Sequence, residues 1–160
     1  MSVEQIRKKI DGIDKKVLEL LNERAKESLE IGKIKIRKGQ SIYSSERERE
    51  ILTRLRNLNH GPLSAEAIDA IYREIMSSSI SLEKKVRIAY LGPALTFTHQ
   101  AAQKKFGSSV DYLPCVSISD VFSEVERERS DYGVVPVENS TEGAVNHTLD
   151  MFIDSELRIG

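Results

Sequence analysis

The sequence holds one cysteine, Cys115, and no tryptophan. A lone cysteine excludes an intramolecular disulfide framework and the thiolate clusters that structural zinc requires. Proline is also scarce. Of the four prolines only Pro62 lies in the first half, so little there would interrupt long helices. No apolar run approaches the roughly 20 residues that cross a bilayer, and the opening Met1-Ser2-Val3-Glu4-Gln5 lacks the apolar core of a signal peptide. A membrane partner is therefore not expected. An excess of charge of one sign is missing too: 24 Lys and Arg face 25 Asp and Glu, for a net charge of −1. That balance argues against a nucleic-acid partner but leaves room for local basic pockets that take small anions. The composition is that of a soluble globular protein, 39% hydrophobic and 31% charged, and the expected compartment is the reducing cytoplasm.

What is present divides into two patterns. The change falls near residue 85, at the polar join Glu83-Lys84-Lys85, which implies domains at 1–85 and 86–160. The first pattern is helical. Ile6, Ile10, Ile13, Val17 and Leu20 recur at spacings of three and four, one face of an α-helix. This predicts a helix over about 2–37, with Ser2 as its N-cap and Gly39 as its break. A second helix opens at Ser44-Ser45 and turns Ile51, Leu52, Leu55 and Leu58 inward. A third starts at Ser64 and turns Ile68, Ile71, Ile75 and Leu82 inward. One long helix and two shorter ones close a core poorly by themselves, so a homodimer of such units is expected.

The second pattern alternates strands and helices. Strands are predicted at 86–91, 110–113 and 132–137. Helices are predicted at 97–106, at 121–129 with Asp120 or Ser119 as N-cap, and from about Thr141. This order implies a parallel, doubly wound sheet. The whole is an α+β chain of two domains, all-α and then α/β.

The first helix carries a chemical signal. At about 100° per residue, the five apolar positions lie within roughly 40° of Arg24, as do Ser28, Ile31 and Lys35. The apolar stripe thus continues into two cations about 16 Å apart along the axis. Two desolvated cations call for an anion, because an unpaired buried charge is costly. The alternative is that both reach solvent or pair with Glu23, Glu27 or Glu30. In the second helix, Glu48 either forms a capping box with Ser45 or faces a ligand. In the third, Ser79 and Glu83 continue the Ile75 stripe in steps of four, where packing and end-of-helix exposure are the plain readings.

Over about residues 3–84 the chain resembles the all-helical chorismate mutases. The resemblance is carried by Ile6-Arg7-Lys8-Lys9-Ile10-Asp11, Leu20-Leu21-Asn22-Glu23-Arg24, Ile31-Gly32-Lys33-Ile34-Lys35 and Arg47-Glu48-Arg49-Glu50. It implies a three-helix domain in an intertwined dimer that isomerises chorismate to prephenate without metal or cofactor. It further implies that Arg24 and Arg47 bind the substrate carboxylates and that Arg7 reaches the partner's site. Lys35 would donate to the ether oxygen, Glu48 would accept from the substrate hydroxyl, and Ser79 would support the carboxylate end. Ser44 stands where aspartate is common. Glu83 stands where some members carry a glutamine that donates to the ether oxygen. A carboxylate cannot donate, so Glu83 would have to be protonated, with its pKa raised by burial and by the dicarboxylate ligand.

Residues 86–160 resemble prephenate dehydratase. The motifs are Ala89-Tyr90-Leu91-Gly92-Pro93, Thr96-Phe97-Thr98-His99-Gln100-Ala101-Ala102, and Val135-Pro136-Val137-Glu138-Asn139-Ser140-Thr141-Glu142-Gly143-Ala144-Val145. This implies a two-lobed, periplasmic-binding-protein-like fold that turns prephenate into phenylpyruvate, water and carbon dioxide. Glu138, Asn139 and Ser140 would line its cleft, with Thr96 and Thr98 near a carboxylate. The chain stops at Leu157-Arg158-Ile159-Gly160, inside an expected strand and before the family's second lobe. It reads as the front of a mutase–dehydratase fusion whose dehydratase part is incomplete. The competing reading is a non-catalytic helical dimerisation module joined to an anion-binding α/β docking domain.

Overall fold

The computed structural model describes residues 2–139 and 143–160. Ser2 caps α1 (Val3–Arg37): its hydroxyl accepts from the Gln5 N–H while the Gln5 side chain accepts from the Ser2 N–H. Two orphan donors are thus satisfied at once. Past the other end Gly39 adopts φ +63°, a left-handed conformation that glycine takes without a Cβ clash. Ser44 and Ser64 cap α2 (Ser45–Leu58) and α3 (Ala65–Glu83). Both α1 and α2 pack on α3.

Only part of α1 finds cover within the chain. Every residue from 2 to 20 is exposed. Ile6, Ile10, Ile13 and Val17 keep 45%, 50%, 57% and 46% of their surface in solvent. Burying such a side chain is worth roughly 1.5–3 kcal/mol, so this stripe is a substantial unused contact face. Leu58, Ile71 and Leu82, expected inward, are exposed instead. The buried positions of α3 are Ile68, Met76, Ser77 and Ser79, and Ser77 among them is covered by the loop at residues 107–109.

The second half forms the expected parallel sheet, in the order β2-β1-β3. Its elements are β1 (Arg87–Leu91), α4 (Phe97–Phe106), β2 (Asp111–Cys115), α5 (Ile118–Glu126) and β3 (Tyr132–Val134). Alternation along β1 sends Ile88 to a cluster with Val86, Ala102, Phe106 and Val110, and Ala89 to one with Cys115 and Val121. Helices α4 and α5 therefore supply opposite faces.

Several boundaries differ from those read in the sequence. The N-cap of α5 is Ser117, and Asp120 is the third helical residue that bonds back to it. The capping box thus starts the helix three residues earlier than the apolar pattern indicated. β3 ends at Val134, just before Val135 and Pro136, which has no N–H to offer a ladder. In place of a helix from 141 there are β4 (Glu138–Asn139) and β5 (Gly143–Ala144), an antiparallel pair, before α6 (Asn146–Asp154). Thr141 itself lies outside the described residues. Residues 155–160, expected to enter a strand, form none among the described residues.

The polar join between the halves hides an extensive contact. Tyr43 and Ile80 of the helical half pack against the cluster around Ile88 and Phe106. Ser108 donates to Glu74 through its backbone N–H, at 3.1 Å, and through its hydroxyl. A Cβ on Gly107 would fall 2.5 Å from the Ser77 Cβ, so glycine is what lets this loop reach α3.

Candidate active site

A cavity of about 440 Å³ opens between α1, the start of α2, α3 and the edge of α4. Ile31, Ile51, Leu55, Met76, Ile80 and Phe106 form its apolar wall. Six cations, Arg24, Lys35, Arg47, Arg54, Arg73 and Lys105, line it against three carboxylates, Glu27, Glu48 and Glu83. An apolar wall with an excess of positive charge is suited to a small anionic molecule.

Arg24 and Lys35 reach this cavity because α1 runs unbroken past it. Arg24 Nη1 donates to Ser79 Oγ at 2.7 Å, and Ser79 donates its own proton to the Ile75 carbonyl at 2.8 Å. Ser79 is only 6% exposed. Its single hydrogen is used within α3, so its lone pairs hold the guanidinium. Lys35 Nζ donates to the Ile42 carbonyl at 2.6 Å. Among the described residues neither cation forms an ion pair. Glu30, one of the alternative partners, is taken by Lys33.

One turn before Lys35, Gly32 is the buried residue of α1. A Cβ there would come within 2.8 Å of Glu83 Cγ and Oε2. The absent side chain is the space that Glu83 fills. Burial pushes the Glu83 carboxyl above its ordinary pKa, against the opposing pull of Lys35 and Arg24. The shift thus arises from the fold, with no ligand needed to create it.

At the cavity's other wall, Ser44 caps α2 by accepting from the Arg47 N–H at 3.3 Å. The capping box between Ser45 and Glu48 does not form. Glu48 instead accepts from the Tyr43 hydroxyl at 2.7 Å, because the helix begins one residue earlier than that box requires. Burial and the Glu48 carboxylate push the Tyr43 phenol far above its usual range, so it remains a donor. Arg47 is exposed at the mouth, where it pairs with Glu50 at 2.9 Å.

Arg7 is not among the lining residues. It lies 17 residues before Arg24, about 25 Å along the helix axis, on the exposed part of α1. The other expected site is not gathered in this way. Thr96 caps α4: its hydroxyl accepts from the His99 N–H at 3.4 Å and donates to the Pro93 carbonyl at 3.0 Å. Thr98 is half-buried in the first turn of α4, and Glu138 is exposed on β4. Asn139 follows Glu138 in that strand, and Ser140 lies outside the described residues. His99 stacks on Tyr90, their ring centroids 4.6 Å apart.

Gly32, Tyr43, Arg54, Arg73 and Lys105 are among the lining or supporting residues that the sequence did not single out. Two had a signal. Arg54 follows Arg47 by seven residues, almost two full turns, and Arg73 precedes Met76 and Ile80 by three and seven. Lys105 had none, since it arrives from the other half of the chain.

Among the described residues, no group of three or more His, Cys, Asp or Glu is placed to hold a metal ion. No helix among them is long and apolar enough to cross a membrane.

Residues 6–84 match the family model described as chorismate mutase type II, and residues 88–160 match that described as prephenate dehydratase. The chain is 54% identical over 161 residues to the bifunctional chorismate mutase/prephenate dehydratase of Aquifex aeolicus (strain VF5), over 98% of this chain and 44% of the relative. It is 45% identical to the protein of the same description from Pseudomonas aeruginosa, over 96% of this chain and 44% of that one. The chain thus spans less than half the length of these curated relatives. A solved chorismate mutase (Form II) from Thermus thermophilus superposes with a TM-score of 0.50 at 34% identity, covering 51% of this chain and 92% of that one.

Proposed function

The chain belongs to the chorismate mutase type II family through residues 6–84 and carries part of a prephenate dehydratase domain in residues 88–160, and on that premise we propose that it isomerises chorismate to prephenate. The observation that supports this most is the convergence of Arg24, Lys35 and Glu83 on one apolar-walled cavity. The reaction is intramolecular. It needs no nucleophile, only a held conformer and stabilisation of charge growing on the ether oxygen. Arg24, steadied by Ser79, and Arg47 at the mouth bind the two carboxylates. Lys35 and protonated Glu83 donate to the ether oxygen, while Glu48 accepts from the ring hydroxyl. Ser44 contributes mainly by starting α2 where Arg47 and Glu48 face the cavity.

We assign the mutase domain to residues 1–85 and the dehydratase part to 86–160. The exposed stripe on α1 is the contact face of a homodimer, which would bring Arg7 of the partner subunit to this cavity. A reducing cytoplasm suits the free, buried Cys115. Thr96, Thr98, Glu138, Asn139 and Ser140 belong to a prephenate cleft. The competing non-catalytic module would need no cations converging on a cavity.

The test is to incubate the purified chain with chorismate, follow the products by NMR and measure its mass in solution. Prephenate should accumulate from a dimer. Unchanged chorismate would overturn the mutase reading, and release of phenylpyruvate would show that the dehydratase part works unaided.

A further inference from the structure

We infer that Tyr43 is a positioning residue through which the α/β half sets the geometry of the mutase site, by holding Glu48. The inference rests on the mutase reading above. Residues 38–44 join α1 to α2, and so join Lys35 to Glu48. The α/β half grips this connection. The Tyr43 ring centroid lies 5.1 Å from that of Phe106 and 5.4 Å from that of Tyr132, and Lys105 Nζ stands 5.9 Å from it. Ser41 gives its proton to the Tyr43 carbonyl at 3.0 Å, which leaves Tyr132 as the donor in the 2.8 Å bond between the Ser41 and Tyr132 hydroxyls.

The held ring places its hydroxyl 2.7 Å from Glu48 Oε2. A phenol donating to a carboxylate makes a charge-assisted bond, stronger and more directional than a neutral one. Among the described residues the other Glu48 oxygen has no hydrogen-bond partner, so it remains available to a substrate hydroxyl. Lys35 is tied to the same connection through the Ile42 carbonyl, at 2.6 Å. The match to the mutase family ends at residue 84, whereas Lys105, Phe106 and Tyr132 all lie beyond it. Part of the mutase site's support therefore comes from outside the mutase domain.

Steady-state kinetics on the whole chain test this. Tyr43→Phe keeps the ring and its packing and removes only the donor. The value of kcat/KM should fall about tenfold, the scale of losing a bond to a charged group. Glu48→Gln should fall further, and adding Tyr43→Phe to it should lower the rate no more, since the hydroxyl acts through Glu48. Tyr132→Phe, which frees Ser41, should cost about threefold. Thermal melting should show all four variants folded. A wild-type rate in Tyr43→Phe would overturn the inference, as would an equal fractional loss in the wild-type and Glu48→Gln backgrounds. A wild-type chain inert towards chorismate would instead overturn the mutase reading on which it rests.

Discussion

Two groups of polar side chains compete for attention in this chain, and the fold treats them differently. Arg24, Lys35, Ser79 and Glu83 come from two helices and meet at one cavity. Thr96 and Thr98 sit at the start of α4 and Glu138 on β4, with the Thr96 hydroxyl already engaged by its own backbone. The difference lies in what surrounds them. In the helical half, packing of α1 on α3 supplies walls on both sides of the polar groups. In the α/β half, the loops meet no opposing wall among the described residues, and the Thr96 hydroxyl is spent on capping α4. A polar motif becomes a site only where packing encloses it.

The sharpest way to break this comparison is Arg24→Ala. Removing the cation held by Ser79 should lower chorismate turnover by on the order of a thousandfold, while circular dichroism shows the helices unchanged. A rate near wild type would put the helical cavity on the same footing as the loops. The next effect concerns Glu83. Its carboxyl is pushed up by burial, and in the proposed mechanism its protonated form is the donor, so kcat should fall as pH rises through that raised pKa. Glu83→Gln donates at every pH and should flatten the alkaline limb of the profile. An unchanged profile would remove Glu83 from the mechanism.

Gly32→Ala tests the enclosure itself. The new methyl meets Glu83 Cγ and Oε2 at 2.8 Å and its Cβ at 3.0 Å; rotating the side chain cannot move the Cβ, so α1 and α3 must part as well. Overpacking costs roughly 1–3 kcal/mol, more than the about 1 kcal/mol by which alanine favours a helix over glycine, so the melting temperature should fall, while kcat drops about tenfold from the displaced donor. The smallest effect is expected at Thr96→Ala. Losing this N-cap should cost about 1 kcal/mol in denaturant unfolding and leave mutase kinetics untouched. A change in chorismate turnover there would erase the distinction between the two regions.

Much of this was legible beforehand, and the reasons are local. The bounds of α4 and the caps at Ser2 and Ser64 follow from short-range hydrogen bonding, which residue types announce. The stripe through Ile6, Ile10, Ile13 and Val17 followed from helical period alone. That stripe also shows the limit: its period names a face, yet that face is exposed among the described residues. Glu48 was ambiguous for a related reason. Cap and ligand roles use the same carboxylate at the same spacing, and a one-residue shift of the helix start, to Ser44 as cap, removed the capping-box role.

The sequence by itself determined which residues share a helical face, where the chain changes from helix to alternating strand and helix, and which cations ride an apolar stripe. All of these depend on neighbours within a few turns. Only the tertiary structure decided that Gly32 makes room for Glu83, that Ser79 takes Arg24, and that Phe106 and Tyr132 clamp Tyr43 beside Glu48. Those pairs are separated by tens of residues, and contact at such range is set by how whole elements pack, which no local pattern records. The two cations on one apolar stripe were visible as a question about charge; the cavity that answers it exists only once α3 and α4 close over them.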